Sequence, residues 1–251
     1  MRIKAIVKYK GTNYHGWQKQ IGDRTIQGVI EEALSKVLDT QINIYASGRT
    51  DAGVHASGQV FHFDINKDNL DLDRLRYSIN MMLDNDIEIV SFEKVDNNFH
   101  SRYDAKVKIY EYKIVLKSKD PFKYETSYVC PYPMNLSLFK KAISKFVGKH
   151  DFRNLTSKEI DDEQDFVRDI YWIDIKKKDD ELSIMFYGNG FMRYMIRYMV
   201  GVALAITQNK EDISYIDNIL DNKERKIVSY KAPPEGLMLV DVSYDEKSFD
   251  A

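Results

Sequence analysis

Two stretches of this chain run through the same order of strand, helix and strand, and that recurrence restricts the fold to helices laid on a mainly antiparallel sheet. In the first stretch Ile3 to Tyr9 alternate as a strand, and a loop rich in glycine and polar residues runs to about Arg24. A helix follows. Its apolar residues Val29, Ile30, Ala33, Leu34, Val37 and Leu38 fall on one stripe from Ile26 onward, with Thr25 placed to cap it. Strands at Ile42 to Ser47, Gln59 to Ile65 and Asp86 to Lys94, with a helix near Leu70 to Met82, complete the pattern.

The second stretch opens with a strand over Val107 to Leu116, whose alternation puts Tyr110, Tyr112, Ile114 and Leu116 on one side. A helix bearing Leu138, Phe139, Ala142, Ile143, Phe146 and Val147 comes next, then strands at Phe166 to Ile175 and Glu181 to Tyr187. Helices from about Phe191 to Thr207 and near Ile213 to Leu220, and a strand around Leu237 to Tyr244, end the chain. Arg193 and Arg197 lie four apart, so the first of these helices is expected to keep one side out of the core. No Gly/Ser/Pro linker divides the halves; two α/β halves are expected, residues 1–104 and 105–251, with a cleft between them.

The candidate chemistry sits in Gly48-Arg49-Thr50-Asp51-Ala52-Gly53-Val54-His55-Ala56, between the second and third strands. Gly48 and Gly53 allow a sharp turn that presents a carboxylate and a guanidinium together. Arg49 is expected to favour the ionised form of Asp51 and to orient it through paired hydrogen bonds.

This segment resembles the signature of the tRNA pseudouridine synthase A family, whose catalytic aspartate falls at Asp51. The resemblance extends to Tyr9-Lys10-Gly11-Thr12-Asn13-Tyr14-His15-Gly16-Trp17-Gln18-Lys19-Gln20, Thr25-Ile26-Gln27, Gln59-Val60-Phe61-His62-Phe63 and Phe99-His100-Ser101-Arg102-Tyr103. Gly190-Phe191 to Arg197 and Pro234-Glu235-Gly236-Leu237 also match, so nearly the whole chain is covered. It implies an α+β pseudouridine synthase fold of two ferredoxin-like, plait-like halves whose sheets join. It also implies isomerisation of uridine to pseudouridine at positions 38 to 40 of the tRNA anticodon arm by a cytoplasmic homodimer.

By the same resemblance Asp51, Arg49 and Tyr110 are the catalytic residues, and Arg197, Arg168, His55, His100, Arg102 and Leu237 bind substrate. The reaction breaks the bond from ribose to N1, turns the uracil and joins C5 to the same sugar carbon, with no net redox change. A carboxylate can start it by attacking the base, by attacking the sugar, or by taking a sugar proton, and the residues do not choose among these. Tyr110 can stack on the displaced uracil or help remove the C5 proton.

Composition bounds the rest. The chain has 251 residues, 43% of them hydrophobic, enough for a real core. Its one cysteine, Cys130, excludes an internal disulfide framework. The longest apolar run, Met199 to Ile206, is too short for a bilayer, and the N-terminus lacks the apolar run of a secretion signal, so an intracellular protein without a membrane segment is expected. The histidines at 15, 55, 62, 100 and 150 make no close ligand array, so neither metal nor cofactor is expected. The Gly11 and Gly16 loop fits neither a phosphate-binding P-loop nor a dinucleotide fingerprint.

Charge pulls against RNA binding: 37 basic and 39 acidic residues leave −2. Distribution must decide, because the acids are concentrated at Glu159 to Asp165 and Asp179 to Glu181, leaving room for basic patches elsewhere. A noncatalytic RNA-binding module would account for such patches, but not for Asp51 and Tyr110 standing together in their motifs.

Overall fold

A computed structural model describes residues 1–67, 69–116, 120–157 and 165–245. The chain divides into two compact units, Met1–Lys106 with the chain from Met238 onward, and Val107–Leu237. Residues after 237, placed by sequence with the second half, therefore cluster with the first.

In the first unit, β1 (Arg2–Tyr9) lies between β4 (Ile87–Val95) and β3 (His55–Asp64), antiparallel to both. Strand β10 (Leu237–Ser243) runs parallel to β3, pairing Met238 with His55 and Leu239 with Ala56. That pairing begins β3 at His55, four residues before the alternation predicts. Ile3, Ala5 and Val7 of β1 and Phe61 and Phe63 of β3 are buried, and α1 (Ile26–Leu38) packs on α2 (Leu72–Asn80), which packs on β4. Helix α1 packs its stripe of Ile26, Ile30, Ala33, Leu34 and Leu38 as its spacing demands, and Thr25 Oγ1 accepts from Gly28 N at 3.3 Å. Helix α2 starts later than expected because Asp71 caps it, accepting from Arg74 N at 2.9 Å.

The strand expected at Ile42 to Ser47 shrinks to β2 (Tyr45–Ala46). Side chains of α1 take the backbone groups that a ladder would need: Ile42 N donates to Ser35 Oγ at 2.9 Å and Ile44 N to Glu31 Oε1 at 3.1 Å.

In the second unit, β5 (Val107–Leu116), β9 (Glu181–Gly188), β8 (Val167–Lys178) and β7 (Gly148–Asp151) form consecutive antiparallel pairs. The short β6 (Tyr128–Cys130) is parallel to β5; β6 and β7 carry too few residues for a periodic signal. Helices α3 (Leu136–Ser144), α4 (Met195–Thr207) and α5 (Ser214–Asp221) complete the unit, with α3 packed on α4.

Helix α4 departs twice from expectation. It begins at Met195, because Tyr194 takes a left-handed backbone with φ 67°, so Arg193 precedes the helix and is not one helical turn from Arg197. Every residue from Met195 to Ile206 is buried, Arg197 included, so the helix is enclosed all round. Tight approach of the segment after α5 explains part of this: a Cβ on Gly201 would lie 2.4 Å from Tyr230 O.

Candidate active site

The turn from Ser47 to Val54 is held from below by buried polar side chains of β1 and β3. Gln59, fully buried, accepts from Ser47 Oγ at 2.7 Å through Oε1 and donates to Gly48 O at 2.9 Å through Nε2. The Tyr9 hydroxyl lies 2.7 Å from Thr50 Oγ1, both side chains buried. Burial pushes the Tyr9 phenol up from its ordinary range, with hydrogen bonds to Thr50 and Gln59 opposing it, so this hydroxyl stays protonated.

A second loop clamps the turn from the side. Trp17 N donates to Thr50 O at 3.0 Å, and Gly11 N to His55 Nδ1 at 3.1 Å. The contact needs glycine at both ends: a Cβ on Gly11 would meet Val54 O at 2.0 Å, and one on Gly16 would meet Thr50 O at 2.8 Å. Val54 N closes the turn onto Asp51 O at 3.1 Å, with Gly53 at φ 78°. Gly48 is not in the left-handed region; its part in the turn is its carbonyl.

Asp51 is thus half-buried on a backbone braced at residues 47, 48, 50, 54 and 55. Arg49 does not pair with it. The Arg49 side chain is exposed and makes no ion pair among the described residues, because the turn sends Thr50 inward to Tyr9 and leaves its neighbour outside. His55 is buried, and its Nδ1 locks the Gly11 loop to β3.

His100 and Arg102 belong to a different cluster of the first unit. The His100 ring lies 4.7 Å from His62 and 4.2 Å from Tyr103, and the Arg102 guanidinium is 5.9 Å from the Tyr103 ring. His62 is held neutral here, with its pKa lowered to about 4 by burial and by the positive charge of Arg2 and His100, while its Nδ1 accepts from Ser101 N at 3.2 Å.

In the second unit, Tyr110 and Tyr112 share a face of β5 but differ in environment. Tyr112 is core: its hydroxyl donates to Pro233 O at 2.8 Å, a Cβ on Gly236 would lie 2.7 Å from its ring, and burial pushes its phenol well up. Tyr110 is buried to 8% exposure, its ring edge-on to Phe191 at 5.2 Å.

Arg197 is fixed by a reciprocal pair, its Nε donating to Ala232 O at 2.8 Å and its backbone carbonyl accepting from Ala232 N at 2.9 Å. The same segment leads through Gly236 to Leu237, which is buried and immediately precedes the Met238 that pairs with His55. Arg168 bends back on its own strand, donating to Val167 O at 2.6 Å and Asp165 O at 3.0 Å. The acidic run Glu159 to Asp165 lies outside the described residues except for Asp165.

The braces Tyr9 and Gln59 were not singled out by sequence reasoning, although a polar Gln59 in the run Gln59-Val60-Phe61 is the signal that could have found one. Among the described residues no group of three or more His, Cys, Asp or Glu side chains is placed to hold a metal ion, and no helix is long and apolar enough to cross a membrane.

A family profile described as tRNA pseudouridine synthase matches residues 5–104 and 142–245. A protein of Geobacillus sp. (strain WCH70) named tRNA pseudouridine synthase A is 40% identical over 246 residues, covering 97% of this chain and 98% of that one. One from Bacillus cereus, named tRNA pseudouridine synthase A 1, is 41% identical over 248 residues, covering 97% and 99%. One from Lactococcus lactis subsp. cremoris, named tRNA pseudouridine synthase A, is 39% identical over 249 residues, covering 97% of each.

Proposed function

Because the chain belongs to the tRNA pseudouridine synthase family, a family of RNA-modifying isomerases, we propose that it converts uridine to pseudouridine at positions 38 to 40 of the tRNA anticodon arm. The observation that carries the assignment of chemistry is the bracing of the Asp51 turn. A carboxylate on a backbone tied at both ends needs no reorganisation when it meets its substrate.

In this reading the target uridine turns out of the anticodon stack, and Asp51 starts the cleavage of its N1 glycosidic bond. The freed uracil turns, C5 joins the same sugar carbon, the proton leaves C5 and N1 takes one up. Tyr110, packed against Phe191, supplies a ring on which the loose base rests and a hydroxyl for the C5 proton. Leu237 supplies an apolar wall, and Arg197 a fixed positive charge. Arg49, exposed beside Asp51, meets RNA from the solvent side, and Arg168, His100 and Arg102 hold more distant parts of it.

The protein is proposed to work as a cytoplasmic homodimer. With a net charge of −2, one chain has limited positive surface for an extended RNA, and twofold symmetry doubles it. Incubating the purified protein with unmodified tRNA and analysing the product by mass and position tests the activity, with Asp51→Ala as the decisive variant. Pseudouridine at 38 to 40 from wild type and none from the folded variant is expected. Full single-turnover activity in Asp51→Ala would remove that residue from the mechanism.

A further inference from the structure

Tyr14 is a buried phenol that the proposed chemistry does not use. It lies at 3% exposure in the loop between β1 and α1, and its hydroxyl donates to Asp86 Oδ1 at 2.6 Å, the length of a charge-assisted bond from a hydroxyl to a carboxylate. Asp86 immediately precedes β4, and its carbonyl accepts from Lys10 N at 2.9 Å. One residue therefore holds the loop twice. The Arg24 guanidinium lies 4.9 Å from the centre of the Tyr14 ring and pairs with Asp84, while the Arg24 carbonyl accepts from His15 N at 2.9 Å. Burial, and after it the Asp86 carboxylate, pushes the Tyr14 phenol up from its ordinary range, so the donor keeps its proton.

The other side of the same loop presses on the Asp51 turn. A Cβ on Gly16 would lie 2.8 Å from Thr50 O, 3.1 Å from Ala52 N and 3.2 Å from Asp51 C, so the loop backbone meets the peptide units on both sides of Asp51. Trp17 and Gly11 add their amide bonds to Thr50 O and His55 Nδ1. Ile26 N and Gln27 N donate to Gly16 O and Trp17 O at 3.1 and 3.0 Å, which ties that end of the loop to the first turn of α1. Between these fixed points, from Thr12 to His15, Tyr14 is the one buried side chain.

We propose that Tyr14 and Asp86 are a positioning pair for the reaction: they set the height of the loop that presses on the Asp51 turn, and so fix where the carboxylate stands. Their role is to place Asp51, not to touch substrate. A backbone in contact with Asp51 on both sides passes its own displacements on, and a misplacement of about 1 Å at a reacting group costs on the order of a hundredfold in rate. The proposal rests on the reading of Asp51 as the residue that starts uridine isomerisation, and extends that reading to residues outside the turn.

The test is single-turnover pseudouridine formation by the full-length protein at saturating tRNA, with tRNA affinity measured separately by fluorescence titration. Tyr14→Phe keeps the ring beside Arg24 and removes only the hydroxyl; Asp86→Ala removes the acceptor. Each is expected to slow the reaction by roughly tenfold, with tRNA affinity within about twofold of wild type. Asp86→Asn retains an acceptor for the Tyr14 hydroxyl and is expected to stay within about threefold of the wild-type rate. Asn80→Ala separates positioning from stability: it deletes the two hydrogen bonds, 2.9 and 2.8 Å, that pin α2 to Ile89 of β4, and is expected to lower the melting temperature without slowing the reaction. Hydrogen exchange at the Gly11 and Trp17 amides reads the loop directly, and should quicken more in Tyr14→Phe than in Asn80→Ala.

A folded Tyr14→Phe with the wild-type single-turnover rate, an Asn80→Ala that slows the reaction as much, or an Asp86→Asn as slow as Asp86→Ala would each overturn the proposal. So would losses confined to tRNA affinity, which would make the loop a binding element. Failure of the pair and failure of the activity are distinct results. Pseudouridine formed as fast by Tyr14→Phe as by wild type would defeat the pair and leave the activity standing. No pseudouridine from wild type, with the two amides still loosened in Tyr14→Phe, would defeat the proposed activity and leave the anchoring of the loop in place.

Discussion

The hydroxyl of Tyr9, at the end of β1, sits 2.7 Å from the hydroxyl of Thr50, the residue immediately before Asp51, and water reaches neither side chain freely. Forty-one positions apart in sequence, the two join the first strand of the sheet to the turn that carries the candidate nucleophile. A buried hydrogen bond of this kind contributes about 1 kcal/mol, and here it acts on the orientation of a neighbouring group.

Tyr9→Phe and Thr50→Val are therefore each expected to lower turnover at saturating tRNA by roughly fivefold, the equivalent of one such bond. The double variant is expected to be no worse than either single one, because both delete the same contact. Thr50→Ser keeps the hydroxyl and should retain most of the activity. Fully additive losses in single-turnover assays would show that Tyr9 does not act through Thr50.

Gly11→Ala tests the clamp between the two loops. The new Cβ would fall 2.0 Å from the Val54 carbonyl oxygen, a backbone atom with no rotamer to escape into. A loss of about 1 to 3 kcal/mol is expected, with the melting temperature falling by about 3 °C per kcal/mol in a chain of this size. Thermal unfolding with no change in midpoint would mean that the loops are not locked together.

The two tyrosines of β5 should separate stability from chemistry. Tyr112→Phe leaves the Pro233 carbonyl without its donor and is expected to cost about 1 to 2 kcal/mol in urea unfolding. Tyr110→Phe is expected to spare stability and to lower turnover by roughly a hundredfold or more, the scale of a lost proton-transfer group. The opposite pattern in the two variants would exchange their roles.

Stability should also fall in acid through His62. Its folded pKa is about 4, lowered first by burial and then by the charges of Arg2 and His100. A free histidine titrates near 6.5, so protons bind the unfolded chain first. The contribution is fully present above about 6.5 and disappears as pH falls toward 4, amounting to as much as about 3 kcal/mol. His62→Asn should flatten the dependence of unfolding free energy on pH between 7 and 4, and an unchanged profile would assign the acid sensitivity to other groups.

Local periodicity carried much of the secondary structure. The stripe from Ile26 to Leu38 under the Thr25 cap, and the alternation over Val107 to Leu116, each depend on neighbours within a few residues, so they can be read from the chain. The Asp51 turn could be located the same way. Its glycines and its charged residues are local, but the contacts that brace the turn are not. Arg49 stands exposed because Thr50, one residue on, turns inward to a tyrosine in β1.

By itself, then, the sequence determined most of the longer helices and strands, where the candidate carboxylate lies, and the family to which the chain belongs. Tertiary structure decided the rest. It shortened β2 by giving the Ile44 amide to Glu31, began β3 early by pairing His55 with Met238, and enclosed Arg197 against Ala232. It also turned Tyr194 left-handed and drew Arg193 and Lys231 to its ring. Apart from the turn at Tyr194 and its neighbour Arg193, these outcomes join residues separated along the chain, where the competition for a buried hydrogen bond or for room beside a glycine leaves no trace in the spacing of nearby side chains.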